Sequence, residues 1–455
     1  MSYKHLQDFD PEVFSLIKAE EQRQQNKLSM IPSENFTLPA VREVLSSVLV
    51  HKYAEGQPHK RYYEGNQYID QLELLCKERA KAAFSLPEDW GVNVQALAGG
   101  NANFGVYNGI LTPGDRMLSM YLPDGGHLSH GWSFPEKDEA GLEGQVDQDV
   151  YFGGRRKVSV VSKIFDVIQY KVNPETRLFD YNHIRDIAKK YQPKILISGG
   201  TAYPREIDYQ TLADIASEIG AYYLADVSHE AGLIAAGVNA SPVGIADVVT
   251  FTTHKTLRGP RGAVILAKNG LIQQIDAGIF PGFQGGPFEH CIASIAVCLK
   301  DVQSDTFKAY AEQVVLNAKR LAANLLQRGY DVVSGGTDKH LVLVDLRNKG
   351  LSGRNPATAL DDAGIVANRN SVPNETGSPM NPSGLRFGTP VITTRGMKEA
   401  EMDLISAWID EVITAVQPFS NLKPREFRAK IPEISVIPKV AADIKALCQQ
   451  FPLNI

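Results

Sequence analysis

The chain has 455 residues, 43% of them hydrophobic and 22% charged, with a formal net charge of -5. That balance suits a soluble globular protein of roughly two or three domains and excludes a disordered chain. A mildly acidic protein has no general attraction for phosphate backbones or anionic membranes. Nucleic acid is thereby excluded as a primary partner, and any anion site has to be local.

The four cysteines, Cys76, Cys291, Cys298 and Cys448, contain no CxxC pair and match neither a disulfide framework nor a zinc site. The opening MSYKHLQDFDPEVF lacks the charged-then-apolar pattern of a signal peptide, and no apolar run reaches the roughly 18 residues of a membrane span. The expectation is a soluble, unprocessed, cytoplasmic protein.

Residues 11 to 28 are polar, with Val13, Phe14, Ile17 and Leu28 spaced for one face of a helix. Such a segment reads as an arm that leans on another surface, which a partner subunit can supply. Helical signals recur from Thr37, and Ile69, Leu72, Cys76 and Ala80 form a core-facing stripe. Short apolar runs then alternate with amphipathic stretches: VNVQAL, RMLSMY, KILISGG, AYYLADV and ADVVTF. That alternation predicts α/β architecture, a largely parallel sheet with crossover helices. After Pro287, two helical segments and a new strand HLVLVDL predict a smaller C-terminal α+β domain. The expected division is an arm over 1–36, a large domain over 37–300 and a small domain over 301–455.

In open parallel sheets ligands sit beyond the carboxyl ends of the strands. The run YYLADVSHEAG ends there with Asp226 and His229, and ADVVTFTTHKTLRGPRG ends with Thr252, Thr253, His254 and Lys255. Pyridoxal phosphate needs a lysine amine for a Schiff base and a carboxylate that keeps its pyridine nitrogen protonated. Lys255 and Asp226 suit those roles, although a lone lysine after a strand is ordinarily a solvated charge and Asp226 also reads as a helix cap.

Gly99 and Gly100 precede an apolar helix, where backbone N–H groups can approach a phosphate, and Gly285 and Gly286 in FPGFQGGPFEH offer further N–H groups. A plain turn is the alternative at both places. The segment DGGHLSH gathers Asp124, His127 and His130, but no third histidine or cysteine follows at ligand spacing. No metal is expected, and His127 is read as a ring that stacks on a flat cofactor. Arg386 in SGLRFGTP has the planar fork for a substrate carboxylate, with a surface ion pair as the alternative.

The segments IPSENF, HKYAEGQPHKRYYEG, NVQALAGGNAN, GGHLSHG, DVSHEAGLIAAG, THKTLRGPRG, PGFQGGP, NRNSVPNETGSP and SGLRFGTP resemble, in order and spacing, the motifs of the serine hydroxymethyltransferases. The resemblance implies a fold-type-I pyridoxal-phosphate enzyme of the aspartate aminotransferase-like fold. Its large domain would hold a mostly parallel seven-stranded sheet. It also implies that Lys255 binds the cofactor, Asp226 pairs with its ring nitrogen, His127 stacks on it, and Thr201 and His229 lie at its polar edge. Thr252 and His254 flank the lysine; Ala98, Gly99, Gly100, Gly285 and Gly286 match phosphate-binding stretches.

By the same resemblance Arg386 takes the amino-acid carboxylate, helped by Ser33 and Tyr63, and Glu55 handles protons around the hydroxymethyl group. Tyr53 reaches the cofactor phosphate of a neighbouring subunit in a homodimer or dimer of dimers. Tyr62, Leu122, Leu128 and Asn370 line a folate pocket. The implied reaction moves the hydroxymethyl carbon of serine to tetrahydrofolate, giving glycine and 5,10-methylenetetrahydrofolate. Two other readings stay open: a folate-independent aldolase of threonine-like or alpha-methyl amino acids, and a non-catalytic cofactor-binding relative.

Three departures stand out. Ala98, Gly99 and Gly100 occupy the place of a Ser-Gly-Ser run, which removes two hydroxyl donors. The stretch QPHKRYYEG brings His59 and Glu64 beside the expected folate region. Residues of about 133–157 read as an inserted surface loop.

Overall fold

A computed structural model of the chain describes residues 3–134, 150–152 and 156–453. It divides into two compact units, one formed by 40–312 and the other by 1–39 together with 313–455.

The 40–312 unit is built on an eight-stranded sheet. Its order is Trp90–Asn93, Ala263–Lys268, Val248–Thr252, Tyr222–Asp226, Ile195–Ser198, Arg116–Met120, Asp166–Tyr170 and Val150–Phe152. The central run from Val248–Thr252 to Asp166–Tyr170 is parallel throughout, while Ala263–Lys268 and Val150–Phe152 run against their neighbours. Strands such as Ile195–Ser198 and Val248–Thr252 are buried at every position, as a sheet covered on both faces requires. Ala102, Val106, Ile197, Leu224, Val248 and Ile275 belong to the core that fills one side of it.

The expectation of seven strands is corrected by one. The eighth, Val150–Phe152, comes from the stretch read as an inserted loop, and its Val150 and Tyr151 are buried. A three-residue apolar run can complete a sheet edge although it is too short to register as a strand in sequence. Most of that expected insertion, 135–149 and 153–155, lies outside the described residues.

The other unit carries a four-stranded antiparallel sheet in the order Asp331–Val332, Leu341–Asp345, Gly384–Gly388, Asn368–Asn370. Leu28, Met30, Phe387, Ile409 and Ile444 share its core. Asp10 caps the helix Pro11–Asn26 by accepting from Val13 N–H at 3.0 Å, with Pro11 in the first turn where its missing N–H costs nothing. None of that helix is buried within the chain, yet the residues after it are tied in. Leu28–Ser29 pairs in parallel with Ile365–Val366, and the Arg395 guanidinium donates to the carbonyls of Gln25 and Lys27. No described helix is long and apolar enough to cross a membrane.

Candidate active site

Asp226 ends one central strand and faces Thr250 on the next, so its carboxylate stands at the carboxyl edge of the parallel sheet. Lys255 follows the end of that second strand by three residues and is buried. Parallel neighbours thus deliver a carboxylate and an amine to the same edge. His229 and Thr252 are buried beside them, and the two segments are stitched together. Thr252 N–H donates to Ser228 Oγ at 3.2 Å, and Thr256 Oγ1 donates to the His229 carbonyl at 3.0 Å.

The Asp226 carboxylate is surrounded by donors. Oδ1 accepts from Ser228 N–H at 3.0 Å and from Ser228 Oγ at 2.5 Å; Oδ2 accepts from Asn103 Nδ2 at 2.8 Å. His130 Nε2, 3.0 Å from Oδ2, also donates, because an ionised carboxylate only accepts. Burial alone would raise the pKa of this group, but the hydrogen bond and charge of His130, with His127 and the Ser228 hydroxyl, hold it well below the usual carboxylate range. Asp226 is a buried anion at neutral pH.

Asn103 lies on the helix Gly99–Ile110 and orders the surroundings of that anion. Thr250 Oγ1 donates to its Oδ1 at 2.7 Å, which turns the Nδ2 toward Asp226 and toward Ser129 Oγ at 2.8 Å. Ser129 in turn places its N–H 3.1 Å and its Oγ 2.7 Å from His127 Nδ1. Thr201 bonds the carbonyls of Gly125 and Gly126, just before His127, at 2.7 and 3.0 Å. His254 Nε2 sits 3.3 Å from the Arg261 guanidinium. Burial, then the Arg261 and Lys255 charges, press its pKa down to about 3, so the ring is a neutral acceptor.

The helix Gly99–Ile110 opens without a side-chain cap, since Ala98 has no polar atom. A Cβ added to Gly99 would meet Thr252 Cγ2 at 2.5 Å, whereas one on Gly100 would meet nothing within 4 Å. The uncapped helix start thus lies against Thr252 and Ser228, neighbours in sequence of the buried amine and the buried anion. Those three features fit the phosphate, carbonyl carbon and ring nitrogen of pyridoxal phosphate.

A second group in the same unit joins Tyr53, Glu55, Tyr63, Gly285 and Gly286. The hydroxyls of Tyr53 and Tyr63 each donate to one Glu55 carboxylate oxygen at 3.3 Å, and the two rings meet edge to face at 5.6 Å. A Cβ on Gly285 would lie 3.4 Å from Glu55 Oε1 and one on Gly286 3.5 Å from Glu55 Cγ, which places both glycines in van der Waals reach of Glu55. Tyr62 packs on Phe280 and is exposed, as is Leu128; Leu122 begins a short helical turn ending at Asp124.

In the other unit, Arg386 pairs across the sheet with Asn368. Its Nε donates to Asn368 Oδ1 at 3.1 Å, while Asn368 Nδ2 lies 3.3 Å from Asn370 Oδ1. Burial lowers the Arg386 pKa to about 10, which leaves it a cation at neutral pH. The Gly388 N–H donates to the Met30 carbonyl at 2.7 Å, which lays the segment leading to Ser33 against the strand of Arg386.

These residues can be set beside known proteins. A sequence model described as serine hydroxymethyltransferase matches residues 6–409. Serine hydroxymethyltransferase of Acidothermus cellulolyticus is 44% identical over 97% of this chain and 95% of its own length. Those of Desulfotalea psychrophila and Sorangium cellulosum are 45% and 44% identical, each over 98% of this chain and 95% and 96% of theirs. The chain belongs to the serine hydroxymethyltransferase family.

Four residues of the Asp226 surroundings carry no sequence pattern that marks them: Asn103, Ser129, His130 as a partner of Asp226, and Ser228. Asn103 sits in NANFG, four positions after Gly99, and only the fold brings it to Asp226 and Thr250. His130 was grouped with Asp124, but Asp124 instead accepts from Val172 N–H at 3.0 Å, and burial pushes its pKa up to about 7. The ligand atoms of His127, His130 and Asp226 come within 4.8 Å of one another, but the hydrogen bonds to Ser129 and between His130 and Asp226 already engage them. The extra His59 has a backbone φ of 63° and donates its N–H to Asp70 at 3.0 Å.

Proposed function

We propose that this member of the serine hydroxymethyltransferase family uses pyridoxal phosphate to move the hydroxymethyl carbon of serine to tetrahydrofolate, giving glycine and 5,10-methylenetetrahydrofolate. The observation that carries the reading is Asp226, a buried carboxylate kept ionised by four donors beside the strand that leads to Lys255. A carboxylate held ionised at this place suits the protonated ring nitrogen of the cofactor. The cofactor, when bound, supplies an electron sink for negative charge at the alpha carbon of the amino acid.

The chain's own groups divide the remaining work. Lys255 offers the amine that holds the cofactor carbon, and Asp226 keeps a proton on the ring nitrogen. The uncapped N–H groups of Gly99 and Gly100 receive the phosphate, and His127, oriented by Ser129, covers the ring. Gly285 and Gly286, beside Tyr53, offer backbone N–H groups to the same phosphate. His229, Thr201, Thr252 and His254 line the polar edge. Arg386 takes the substrate carboxylate with Ser33, and Asn368 fixes the angle of the guanidinium. Glu55, poised between two phenols, accepts and returns the proton of the serine hydroxyl. Tyr62, Leu122 and Leu128 bound the folate.

The working form is a cytoplasmic homodimer in which Tyr53 and Glu55 serve the neighbouring subunit. Two observations support it: the exposure of Tyr53, Tyr62 and Phe288, and the absence of any buried residue on the helix Pro11–Asn26. Glycine formation from serine, measured with and without tetrahydrofolate, tests the whole reading. Dependence on folate is expected, and cleavage at an equal rate without it would mark a folate-independent aldolase. Lys255→Ala should abolish both turnover and the visible absorbance of bound pyridoxal phosphate.

A further inference from the structure

An ionised carboxylate has about four acceptor positions, two on each oxygen. On Asp226 all four are taken by the chain itself. Ser228 N–H and Ser228 Oγ fill Oδ1 at 3.0 and 2.5 Å, and Asn103 Nδ2 and His130 Nε2 fill Oδ2 at 2.8 and 3.0 Å. A ring N–H arriving at this carboxylate finds no open position, so one donor has to yield.

Three of the four donors are held in place. The Ser228 N–H belongs to the backbone just past the strand. The Asn103 amide is locked by Thr250 at 2.7 Å, and the His130 ring is enclosed, with a side-chain exposure of 1%. The Ser228 hydroxyl alone is carried on a single rotatable bond. Among the described residues its only other hydrogen bond is the one of 3.2 Å that it accepts from Thr252 N–H. Rotating its O–H about the Cβ–Oγ bond frees one position on Oδ1 and leaves the oxygen in place to accept from Thr252 N–H.

Resting on the reading of Asp226 as the ring-nitrogen partner, we propose that Ser228 is a positioning residue whose hydroxyl occupies Asp226 in the cofactor-free chain and yields that place to the cofactor's ring N–H. Two consequences follow. The hydroxyl keeps the buried anion satisfied whenever no ring N–H is bound there, and it competes with the cofactor for it. Any contact it retains after binding draws charge from Asp226 and weakens the hold on the ring proton.

The test titrates cofactor-free protein with pyridoxal phosphate, following protein fluorescence, for the parent chain, Ser228→Ala, Ser228→Cys and Asp226→Asn. In parallel, nitrogen-15-labelled pyridoxal phosphate reports by NMR the pH at which the bound ring loses its proton. Ser228→Ala keeps the backbone N–H but removes the competitor, so its Kd should fall on the order of tenfold. The ring should also keep its proton to higher pH. Ser228→Cys, a weaker donor, should fall between parent and alanine variant, which separates competition from a packing effect. A Kd for Ser228→Ala equal to or weaker than that of the parent, in protein with an unchanged circular dichroism spectrum, overturns the proposal. Asp226→Asn tells the two levels apart. If it loses affinity while Ser228→Ala gains none, the proposal alone fails; if it binds like the parent, the assignment of Asp226 fails and the proposal with it.

Discussion

Asn103 donates to Asp226 at 2.8 Å, so a helix residue four positions past the glycine turn supports a strand-end carboxylate 123 positions later in the chain. The same Nδ2 reaches Ser129 at 2.8 Å, and the Oδ1 accepts from Thr250 at 2.7 Å, which makes one amide the junction of three elements. Asn103→Ala would leave Thr250 without an acceptor and a buried anion short of one donor. A loss of about 2 to 4 kcal/mol in stability is expected, read by chemical denaturation of the cofactor-free protein. Cofactor affinity should drop in the same variant, whereas a surface Asn→Ala control such as Asn182→Ala should change neither.

Gly100 has room for a side chain, and its backbone is not left-handed. Gly100→Ser should therefore fold normally and add a hydroxyl to the uncapped end of the helix. A gain of about 0.5 to 1.5 kcal/mol in pyridoxal phosphate binding is expected, measured by equilibrium titration. Gly99→Ser should behave oppositely, because its Cβ would collide with Thr252 Cγ2 at 2.5 Å.

Arg386 is a buried cation whose Nε is engaged by Asn368 at 3.1 Å. Arg386→Ala should raise the serine KM by about 10- to 150-fold, the loss of one charge-assisted contact of roughly 1.5 to 3 kcal/mol, while cofactor absorbance stays. Asn368→Ala should raise KM less and leave kcat closer to that of the parent. An unchanged KM in Arg386→Ala would remove this residue from substrate binding.

Glu289 is fully buried and, among the described residues, neither of its carboxylate oxygens has a hydrogen-bond partner. Burial, then the negative charge of Glu73, pushes its pKa up to about 8; Asp70 adds to this, while Arg61 and Lys52 oppose it. Between the ordinary carboxyl pKa near 4.5 and about 8, the folded chain keeps a proton that the unfolded chain has lost. Stability contributed here is therefore whole below that window and falls as pH rises through it. Glu289→Gln should match the parent at pH 4 and exceed it by about 1 to 3 kcal/mol at pH 8, measured by denaturant titration at both values. Equal stability at pH 8 would show that the carboxyl is ionised at no cost.

The sequence by itself determined the α/β class, the strand ends that bear chemistry and the residue types able to anchor the cofactor. Those are local properties: an apolar run ending in Asp226 or leading to Lys255 is visible in a window of ten residues. Motif order carried the family equally well, since it needs no geometry. Tertiary structure decided what lies around the carboxylate. Asn103, His130 and Ser228 converge on Asp226 from a helix, the short 3-10 helix Leu128–His130 and the turn after its own strand. Nothing in the DGGHLSH segment tells whether His130 faces Asp124 or an aspartate 96 positions away. It also decided the eighth strand, because Val150–Phe152 is a strand only by virtue of pairing with Asp166–Tyr170. Hydrogen bonds between distant segments depend on which surfaces the sheet brings together, and a hydrophobic pattern records only which face of each segment is buried.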